Sequence, residues 1–599
     1  MKNVGNEKSA TRVFYTCQLG RLLFMIKVKK FLIISLCIIM LFGLNGYGKQ
    51  LLTAMPPANA FEDDPPIANI TDYQARNLQK LCKVWGFAKY THNSFLLGLK
   101  DWDEELLSLI PVVQFADEDI VNNILYDWFV GLGDDGYGLG KLGHHEMNLR
   151  QMADMNWINN DYLGQTLAAA LLRFNEIHIP GRVTAPVSFN QWGNSTFFNE
   201  KSYINMDFKE SGYRLLGLFR LWNAIEYYFP YRDILDKDWN ALLLEYIPKI
   251  LEGVDRLSYE LALASISSNL HDAHVHFARI RSELWFFCDK FGSYIAPARL
   301  VEAEGRLVVS EIAIGSDLFE LGDAIIGMDG KDIEETIDEM LQYLSWPNEE
   351  KALAFLARHD VLRSVNNEII QVDILRDGVL LSLDVLFDDY IFAPVVTKSH
   401  ELLQNNIGLI NPAMLSDNYS IPFIMAEFAE TDGIIIDMRQ YPRHMSISQL
   451  YSYFVEEWQD FIIFSLPFQQ IPGVFYDKQE RYSISRYMDN ESFYKNKVVV
   501  LMNDNTQSAA ETIVMSLRTG PNVTVIGGNS IGANGNITRL PLPGGIYMGF
   551  SGLGVYTAEG GQTQRIGLSP DICSIRTIAG IREGRDELKE KAIQFILSQ

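Results

Sequence analysis

The sequence has few cysteines and little clustered positive charge, and both shortages exclude classes of protein. Its 599 residues include five cysteines, and no two of them have the short spacing of a zinc or redox motif. We therefore expect no metal site, no disulfide framework and no cofactor. Lys and Arg total 51 against 75 Asp and Glu, and the formal net charge is −24. Such a surface repels phosphate backbones, so we expect no nucleic-acid partner.

The N-terminal apolar run is too short for a typical membrane span. It covers 14 residues, Phe31–Leu44, follows a basic stretch and gives way to small and polar residues. Residues 1–48 are therefore predicted to be a targeting segment, with a signal peptide at about 25–48 and Met25 as the initiator. We expect export to the periplasm or the extracellular space. N-terminal sequencing tests the start at Met25. An uncleaved membrane anchor is the alternative to a signal peptide.

A repeat with a period of 137 residues organises the first half of the chain. The whole chain, at 599 residues, should fold as several domains. The recurring positions are Trp85, Tyr90, Asp101, Trp102 and Pro111, matched by Trp222, Tyr227, Asp238, Trp239 and Pro248. Apolar residues around both sets recur at helical spacing. We predict a duplicated helical domain over about residues 62–285, with copies at about 72–136 and 209–276.

Only the second copy ends in histidines. It carries His271, His274 and His276, whereas the first copy has Gly136 opposite His274. Three imidazoles in six residues could ligate a metal. Helical or extended backbone would not aim all three at one point, however, so we expect no metal here. Each histidine could equally be an ordinary polar residue at a helix end.

Residues 290–390 change to strand-like runs around the turn Asp329-Gly330, which is typical of a tight β-turn. The pattern Leu321-Gly322-Asp323, followed by Ile325 and the turn, resembles a PDZ domain. That fold captures extended peptide by adding it to a sheet edge. A β-rich spacer that binds nothing is the alternative.

The last 200 residues alternate short apolar runs with helical patterns. The runs are Ile407–Ile410, Gly433–Asp437, Lys497–Met502 and Val523–Ile526, and the helical patterns include 447–457 and 509–518. This alternation predicts βα units and a largely parallel sheet. In such sheets the functional site lies at the carboxyl ends of the strands.

Ser508 occupies such a position. A polar turn, 503–507, follows the strand ending at Met502, and Ser508 opens the next helix. Free N–H groups at a helix start can stabilise a developing oxyanion, so the position suits a nucleophile. Serine is also a common N-cap, and the local pattern alone favours that simpler role.

Several motifs around Ser508 point beyond a cap. They are Ser508-Ala509-Ala510-Glu511, Val525-Ile526-Gly527-Gly528, Gly532-Ala533-Asn534-Gly535 and Gly567-Leu568-Ser569-Pro570-Asp571-Ile572. In order and spacing they resemble the tail-specific, or C-terminal-processing, serine peptidases. With the helical and PDZ-like regions, the resemblance covers nearly all of residues 62–599. It implies a multidomain α+β and α/β protein that ends in a ClpP/crotonase-like peptidase domain at about 395–599.

The resemblance also implies a catalytic base. One branch of the family uses a lysine in the glycine-rich segment, and Ala533 stands at that position here. The tricorn-like branch uses a histidine from the helical region, and His274 matches it. A neutral imidazole can accept the proton of Ser508 and return it to the leaving amine. We therefore expect acyl transfer through a covalent Ser508 ester.

Three departures from the tricorn-like pattern stand out. Ala273 replaces the serine beside the histidine, and Gln564 replaces an acidic residue; Gln564 could orient the histidine without stabilising imidazolium by charge. The usual glycine-rich oxyanion segment reads differently, which leaves the backbone N–H groups of Arg443 and Ala509 as expected donors. His444 is a rival base.

Two main functions remain open on the sequence. The first is an exported serine endopeptidase or carboxy-terminal processing enzyme acting on peptides or proteins. The second is a catalytically weak or inactive peptide-binding scaffold of the same fold, and an esterase is a third. Oligomeric state is left open, and contact with a membrane is expected only through an uncleaved N-terminal segment.

Overall fold

The computed structural model describes residues 70–133, 148–174, 184–280, 286–394, 398–416, 420–442, 450–455, 460–479 and 493–598. They belong to one compact unit, Asp64–Gln599. The predicted targeting segment lies outside the described residues, as do five of the eleven residues of the predicted helix at 447–457. Within the described residues, no helix combines the length and the hydropathy needed to span a membrane.

The first part of the described chain is mainly helical. Its helices are α1 (Asp72–Thr91), α2 (Asn93–Leu96), α3 (Trp102–Gln114), α4 (Glu118–Gly131), α5 (Asn160–Phe174), α6 (Ser211–Tyr228), α7 (Trp239–Glu252) and α8 (Arg256–Ser268). Its short strands are β1 (Leu149–Gln151), β2 (Ser188–Phe189) and β3 (Ser195–Thr196). Capping fixes where α1 begins, because Thr71 and Gln74 form a reciprocal capping box.

The two tryptophan pairs of the repeat make the same hydrogen bond. Trp85 Nε1 donates to the carbonyl of Trp102 at 2.7 Å, and Trp222 Nε1 donates to that of Trp239 at 2.8 Å. In each case the indole joins a long helix, α1 or α6, to a later one, α3 or α7. The first tryptophan of each pair therefore has the same structural role at both places.

Positions 137 residues apart also contact each other. The rings of Tyr90 and Tyr227 lie edge to face with centroids 5.3 Å apart. Gly86 packs against Asn223 so closely that a Cβ atom would lie 1.7 Å from the Asn223 amide oxygen. Contact between equivalent positions is what a local two-fold arrangement produces.

A small β-rich module follows. Its elements are α9 (Phe286–Phe291), β5 (Tyr294–Ile295), β6 (Ala298–Ala303), β7 (Arg306–Ile312), β8 (Ala324–Met328), β9 (Lys331–Asp332), α10 (Ile333–Leu341), α11 (Ala352–Ala357), β10 (Arg363–Ser364), β11 (Ile369–Arg376) and β12 (Val379–Leu386). The main sheet is antiparallel in the order β12-β11-β8-β7-β6, with β9 on β8. Asp329 and Gly330 have φ values of 55° and 72°, which confirms the predicted tight turn.

The last part of the chain is an α/β region. Its elements are β13 (His400–Leu403), β14 (Ile407–Ile410), α12 (Ile421–Glu427), β15 (Gly433–Asp437), β16 (Ile463–Pro467), β17 (Phe475–Gln479), β18 (Lys497–Met502), α13 (Ala509–Leu517), β19 (Val523–Gly527), β20 (Ile537–Leu542), β21 (Ile546–Ser551), β22 (Gly554–Tyr556), β23 (Ile572–Cys573), α14 (Ile578–Arg582) and α15 (Glu587–Leu597). One-turn 3₁₀ helices occur at Arg232–Ile234, Glu349–Lys351 and Pro412–Met414.

The central sheet of this region has the order β13-β14-β15-β18-β19-β23. All its pairs are parallel except β13 with β14, so the predicted parallel sheet is confirmed. Alternate residues of β18 enter opposite cores: Val498 and Val500 pack on one face and Val499 and Leu501 on the other. Burial of both faces explains why the strand reads as an unbroken apolar run.

Two further sheets join parts of the chain that are far apart in sequence. Strand β4 (His276–Arg279) pairs with β21 in the sheet β20-β21-β4, and β1 pairs with β17 in the sheet β1-β17-β16-β22. Strand β4 lies inside the segment predicted to be helical. The predicted domain boundaries remain predictions, and the pairing of β4 with β21 brings His274 beside the end of β21.

Candidate active site

Ser508 lies at the carboxyl edge of the parallel sheet, in the turn 503–508 between β18 and α13, here called the Ser508 turn. Its backbone has φ 58° and ψ −119°. These are the angles of the first central residue of a type II′ turn, a position dominated by glycine. An ordinary N-cap has extended backbone with negative φ. Ser508 is partly exposed, and its conformation differs from that of a simple cap.

Glu511 and Ala533 hold this backbone conformation. The Ser508 N–H donates to the Ala533 carbonyl at 2.9 Å and to the Glu511 carboxylate at 3.1 Å. The buried Glu511 carboxylate also accepts from Ser530 Oγ and from the N–H groups of Gly532 and Ala533. Burial raises the pKa of Glu511, while these donors act in the opposite direction. The glycine-rich segment thus supports Ser508 through its backbone.

One expected oxyanion donor lies within the described residues and the other does not. Ala509 is the first residue of α13, and its N–H is one of the free donors that every helix start presents. It follows Ser508 directly and suits the predicted role. Arg443 lies outside the described residues, as does the rival base His444. The segment leading to them is anchored to the Ser508 turn, because Thr506 Oγ1 donates to the Met438 carbonyl at 3.1 Å.

His274 is buried just before β4, with its two ring nitrogens in different surroundings. Nδ1 lies 2.8 Å from Ser551 Oγ. Nε2 is buried and has no hydrogen-bond partner among the described residues. Burial lowers the pKa of His274, and the nearby Asp272 carboxylate opposes that effect. The imidazole is therefore neutral at physiological pH, the state that a general base needs.

The neighbouring histidines have other partners. His271 Nδ1 lies 2.9 Å from the Trp346 carbonyl, and His276 Nδ1 lies 2.8 Å from the His274 carbonyl. The three rings therefore do not converge. Over the part of the chain that the structure describes, no group of three or more His, Cys, Asp or Glu side chains is placed to hold a metal ion.

The segments that carry Ser508 and His274 are joined by a hydrogen bond. The Gln507 side-chain amide donates to the Ala273 carbonyl at 3.1 Å. Gln507 directly precedes Ser508 in the sequence, and Ala273 directly precedes His274. No hydrogen bond in the described part of the chain links Ser508 directly to His274. Catalytic hydrogen bonds are often long or absent without substrate, so the lack of this one does not by itself exclude His274 as the base.

Gln564 lies in the same cluster but contacts a different partner from the one predicted. Its Nε2 donates to Asp272 Oδ1 at 3.0 Å. Asp272 also accepts from the Ser551 hydroxyl at 2.9 Å and from the N–H groups of Ser551 and His274. Sequence reasoning missed Asp272, Ser551 and Glu511 as site residues. A carboxylate two positions before His274 was a usable signal, whereas Ser551, on a distant strand, gave none.

A cavity of about 580 Å³ adjoins the Ser508 turn. Val301 of β6 and Leu321 line it from the β-rich module, and Asn503, Asp504 and Gly528 line it from the carboxyl ends of β18 and β19. The cavity therefore runs from an edge strand of the module to the turn that holds Ser508.

One protein-family model matches the chain. The model described as Peptidase family S41 matches residues 450–574, a range that includes Ser508, Ala533 and Gln564 but not His274. No curated protein matches the chain in a sequence comparison.

Several solved structures are similar to this chain. Mature CPAF complexed with lactacystin is 14% identical with a TM-score of 0.49, over 64% of this chain and 99% of that one. A peptidase from Parabacteroides merdae is 16% identical with a TM-score of 0.39, over 64% and 97%. The photosystem II D1 C-terminal processing protease is 17% identical with a TM-score of 0.36, over 60% and 93%. At these values the similarities carry no inference about the chemistry of this chain.

Proposed function

The chain carries a serine peptidase domain of family S41, and we propose that it is an exported, tail-specific-like endopeptidase with Ser508 as nucleophile and His274 as general base. The observation that carries this proposal is the backbone conformation of Ser508. Ser508 is the N-cap of α13, but its φ of 58° gives it the strained backbone of a nucleophile at a strand-to-helix turn and not the extended backbone of an ordinary cap. The buried neutral imidazole on the adjoining segment supplies the base.

The reaction would proceed by acyl transfer. The Ser508 Oγ–H bond breaks as Oγ bonds to the scissile carbonyl carbon, and the proton passes to His274 Nε2. The carbonyl oxygen becomes an oxyanion, which the Ala509 N–H at the start of α13 is placed to stabilise. The C–N bond then breaks as Nε2 returns the proton to the leaving amine. Water repeats the sequence on the ester and restores Ser508.

The β-rich module is proposed to bind the substrate as a PDZ-like domain. Strand β6 lies at the edge of its sheet, and Val301 of that strand lines the cavity that continues to Asn503 in the Ser508 turn. An extended peptide added to this edge would be directed toward Asn503 and Asp504 of the Ser508 turn. Export remains part of the proposal on the strength of the apolar run Phe31–Leu44.

The N-terminal helical region is proposed to be a duplicated domain with a local two-fold axis. The equivalent contacts of the two tryptophan pairs support it, as does the contact of Tyr90 with Tyr227. Such a domain would hold the His274 segment against the peptidase sheet, because α8 leads directly into that segment.

A catalytically inactive peptide-binding scaffold is the second candidate. One observation favours it: Gln564 cannot supply the negative charge that the resemblance places at its position. Under this alternative the module would bind peptide while Ser508 remained unreactive.

Covalent labelling with a fluorophosphonate probe tests the two candidates. We expect the folded protein to be labelled on Ser508, and Ser508→Ala to abolish labelling. Ser516→Ala is a matched control, because Ser516 is a buried serine on α13 whose hydroxyl bonds within its own helix. Folded protein that takes up no label would remove the enzyme and leave the scaffold. A comparison of cleaved termini with wild type and Ser508→Ala would then identify the substrate class.

A further inference from the structure

The Asp272 carboxylate is fully buried two residues before His274. Four donors converge on it: the N–H groups of His274 and Ser551, the Ser551 hydroxyl and the Gln564 amide. The Asp272 N–H itself donates to Ser345 Oγ at 2.8 Å. A buried carboxylate with this many donors is held in one orientation, and here that orientation faces Ser551 and His274.

We propose that Asp272 and Ser551 are positioning residues that orient and polarise His274, taking over the role that the sequence pattern assigned to positions 273 and 564. This inference rests on the proposed peptidase function and deepens it. Ala273 and Gln564 then mark a relocation of the supporting hydroxyl and charge. They do not mark a loss.

The directions of the hydrogen bonds follow from the groups themselves. An ionised carboxylate only accepts, so the single Ser551 hydroxyl proton points to Asp272 Oδ1 at 2.9 Å. Toward His274 Nδ1, at 2.8 Å, Ser551 Oγ can then only accept. Nδ1 therefore carries the proton of the neutral imidazole, and Nε2 presents its lone pair. The arrangement selects the tautomer that general-base catalysis requires.

The same carboxylate supplies charge. Asp272 Oδ1 lies 4.0 Å from His274 Nδ1, close enough to stabilise the imidazolium that forms when Ser508 is deprotonated. Burial keeps the pKa of His274 below its ordinary value, and of the titratable groups that act on it Asp272 opposes this shift while His276 adds to it. The base is therefore neutral at rest and supported when charged.

Gln564 fits this arrangement as a neutral donor. Its amide donates to Asp272 Oδ1, the oxygen that also accepts from Ser551. A glutamate at 564 would place a second carboxylate against the first in a buried site, where like charges repel strongly. Glutamine at this position donates a hydrogen bond to Asp272 without adding a second negative charge.

The test is the pH dependence of fluorophosphonate labelling, in which Ser508 Oγ bonds to phosphorus, fluoride leaves and the hydroxyl proton passes to His274. For the wild type we expect a rate that rises with pH to a plateau, with a midpoint below about 6.5. Ser551→Ala should lower the plateau about 10- to 100-fold, the loss of one hydrogen bond to a charged group, and Asp272→Asn about 10²- to 10⁴-fold. Both should move the midpoint to lower pH, because the imidazolium loses its support.

Two further variants and the position of the midpoint keep the result unambiguous. Ser267→Ala is the matched control: Ser267 is a buried serine on α8 whose hydroxyl bonds to the Leu263 carbonyl and to Met548 Sδ. It should leave rate and midpoint unchanged. A purely structural role for Ser551 would reduce the labelled fraction without moving the midpoint. Gln564→Glu should lower the rate.

The outcomes separate the inference from the proposed function. Folded wild type that is not labelled at Ser508 overturns the function itself. Wild type that is labelled, with Ser551→Ala labelled at the same rate and midpoint, overturns only the positioning role. A rate that rises with Gln564→Glu also overturns it, since the charge would then belong at 564. If Asp272→Asn does not fold, Ser551→Ala and Gln564→Glu still decide the matter.

Discussion

Backbone strain at Ser508 can be measured separately from chemistry by comparing two inactive variants. Ser508→Ala removes the nucleophile and keeps a Cβ atom at φ 58° and ψ −119°. Ser508→Gly removes the nucleophile and the Cβ atom together. Both variants lack the hydroxyl, so a difference in their stability reports on the backbone alone.

The expected difference follows from two opposing terms. A residue other than glycine in a sparsely populated φ/ψ region costs about 1–3 kcal/mol, which glycine relieves. Glycine in turn loses more conformational entropy on folding, about 0.5–1 kcal/mol relative to alanine. Relief of strain exceeds the entropic loss, so we expect Ser508→Gly to be the more stable variant by about 1 kcal/mol.

Ser108 provides the matched control. It is an exposed residue inside the helix α3, three residues before Pro111. There Ser108→Gly should be less stable than Ser108→Ala by about 0.8–1.0 kcal/mol, the usual difference in helix propensity. The sign of the glycine-minus-alanine difference should thus reverse between the two sites. Urea midpoints of the four variants measure it, and a Ser508→Gly variant less stable than Ser508→Ala would refute the strain argument.

Three further predictions concern buried charge. Arg220→Met should destabilise the folded protein by about 3–5 kcal/mol in a thermal or urea assay. Arg220 is fully buried and pairs with Asp103 at 2.8 Å and with Glu200 at 2.9 Å, so its loss leaves two buried carboxylates without this cation. An unchanged midpoint would contradict this. Glu511→Gln should slow fluorophosphonate labelling at least about tenfold, since an amide cannot accept from all four donors that surround the carboxylate. The free energy of unfolding should fall by less than the loss of those hydrogen bonds suggests. The reason is that burial disfavours the charged carboxylate and raises the pKa of Glu511, and the neutral amide avoids that cost. Burial lowers the pKa of His359 to about 4, so the folded protein holds this imidazole neutral where the unfolded chain would protonate it. The folding free energy is therefore unaffected by His359 above about pH 6.5, and stability is lost as the pH falls toward 4, by about 3 kcal/mol. The free energy of unfolding of His359→Gln, followed from pH 7 to pH 4, should be less steep than that of the wild type, and parallel curves would contradict the assignment.

Local sequence patterns predicted the elements well. The strands at Ile407–Ile410, Gly433–Asp437 and Lys497–Met502 have the predicted bounds. Each is a strongly periodic or wholly apolar segment that is buried as its pattern requires. The strand His276–Arg279 was not predicted, because four residues carry little periodicity and their pairing partner lies about 270 positions away.

The candidate site was predictable only where its residues share a local motif. Ser508 and Ala509 occur together at the end of a strand, and His274 closes a recognisable helical copy. Ser551 and Glu511 act through contacts that no local pattern encodes. Glu511 resembles the acidic residue of an ordinary capping box, and only the structure shows its carboxylate bonded to the glycine-rich segment as well.

A departure from a family pattern is therefore better judged by the contacts of the new residue than by the residue alone. Gln564 removes a charge from one position, and the structure finds a carboxylate at Asp272 bonded to that same side chain. Two carboxylates could not share this buried site at low cost, so a charge at 272 favours a neutral residue at 564. The two positions are coupled, and a loss of function inferred from either one separately would miss the compensation in the other.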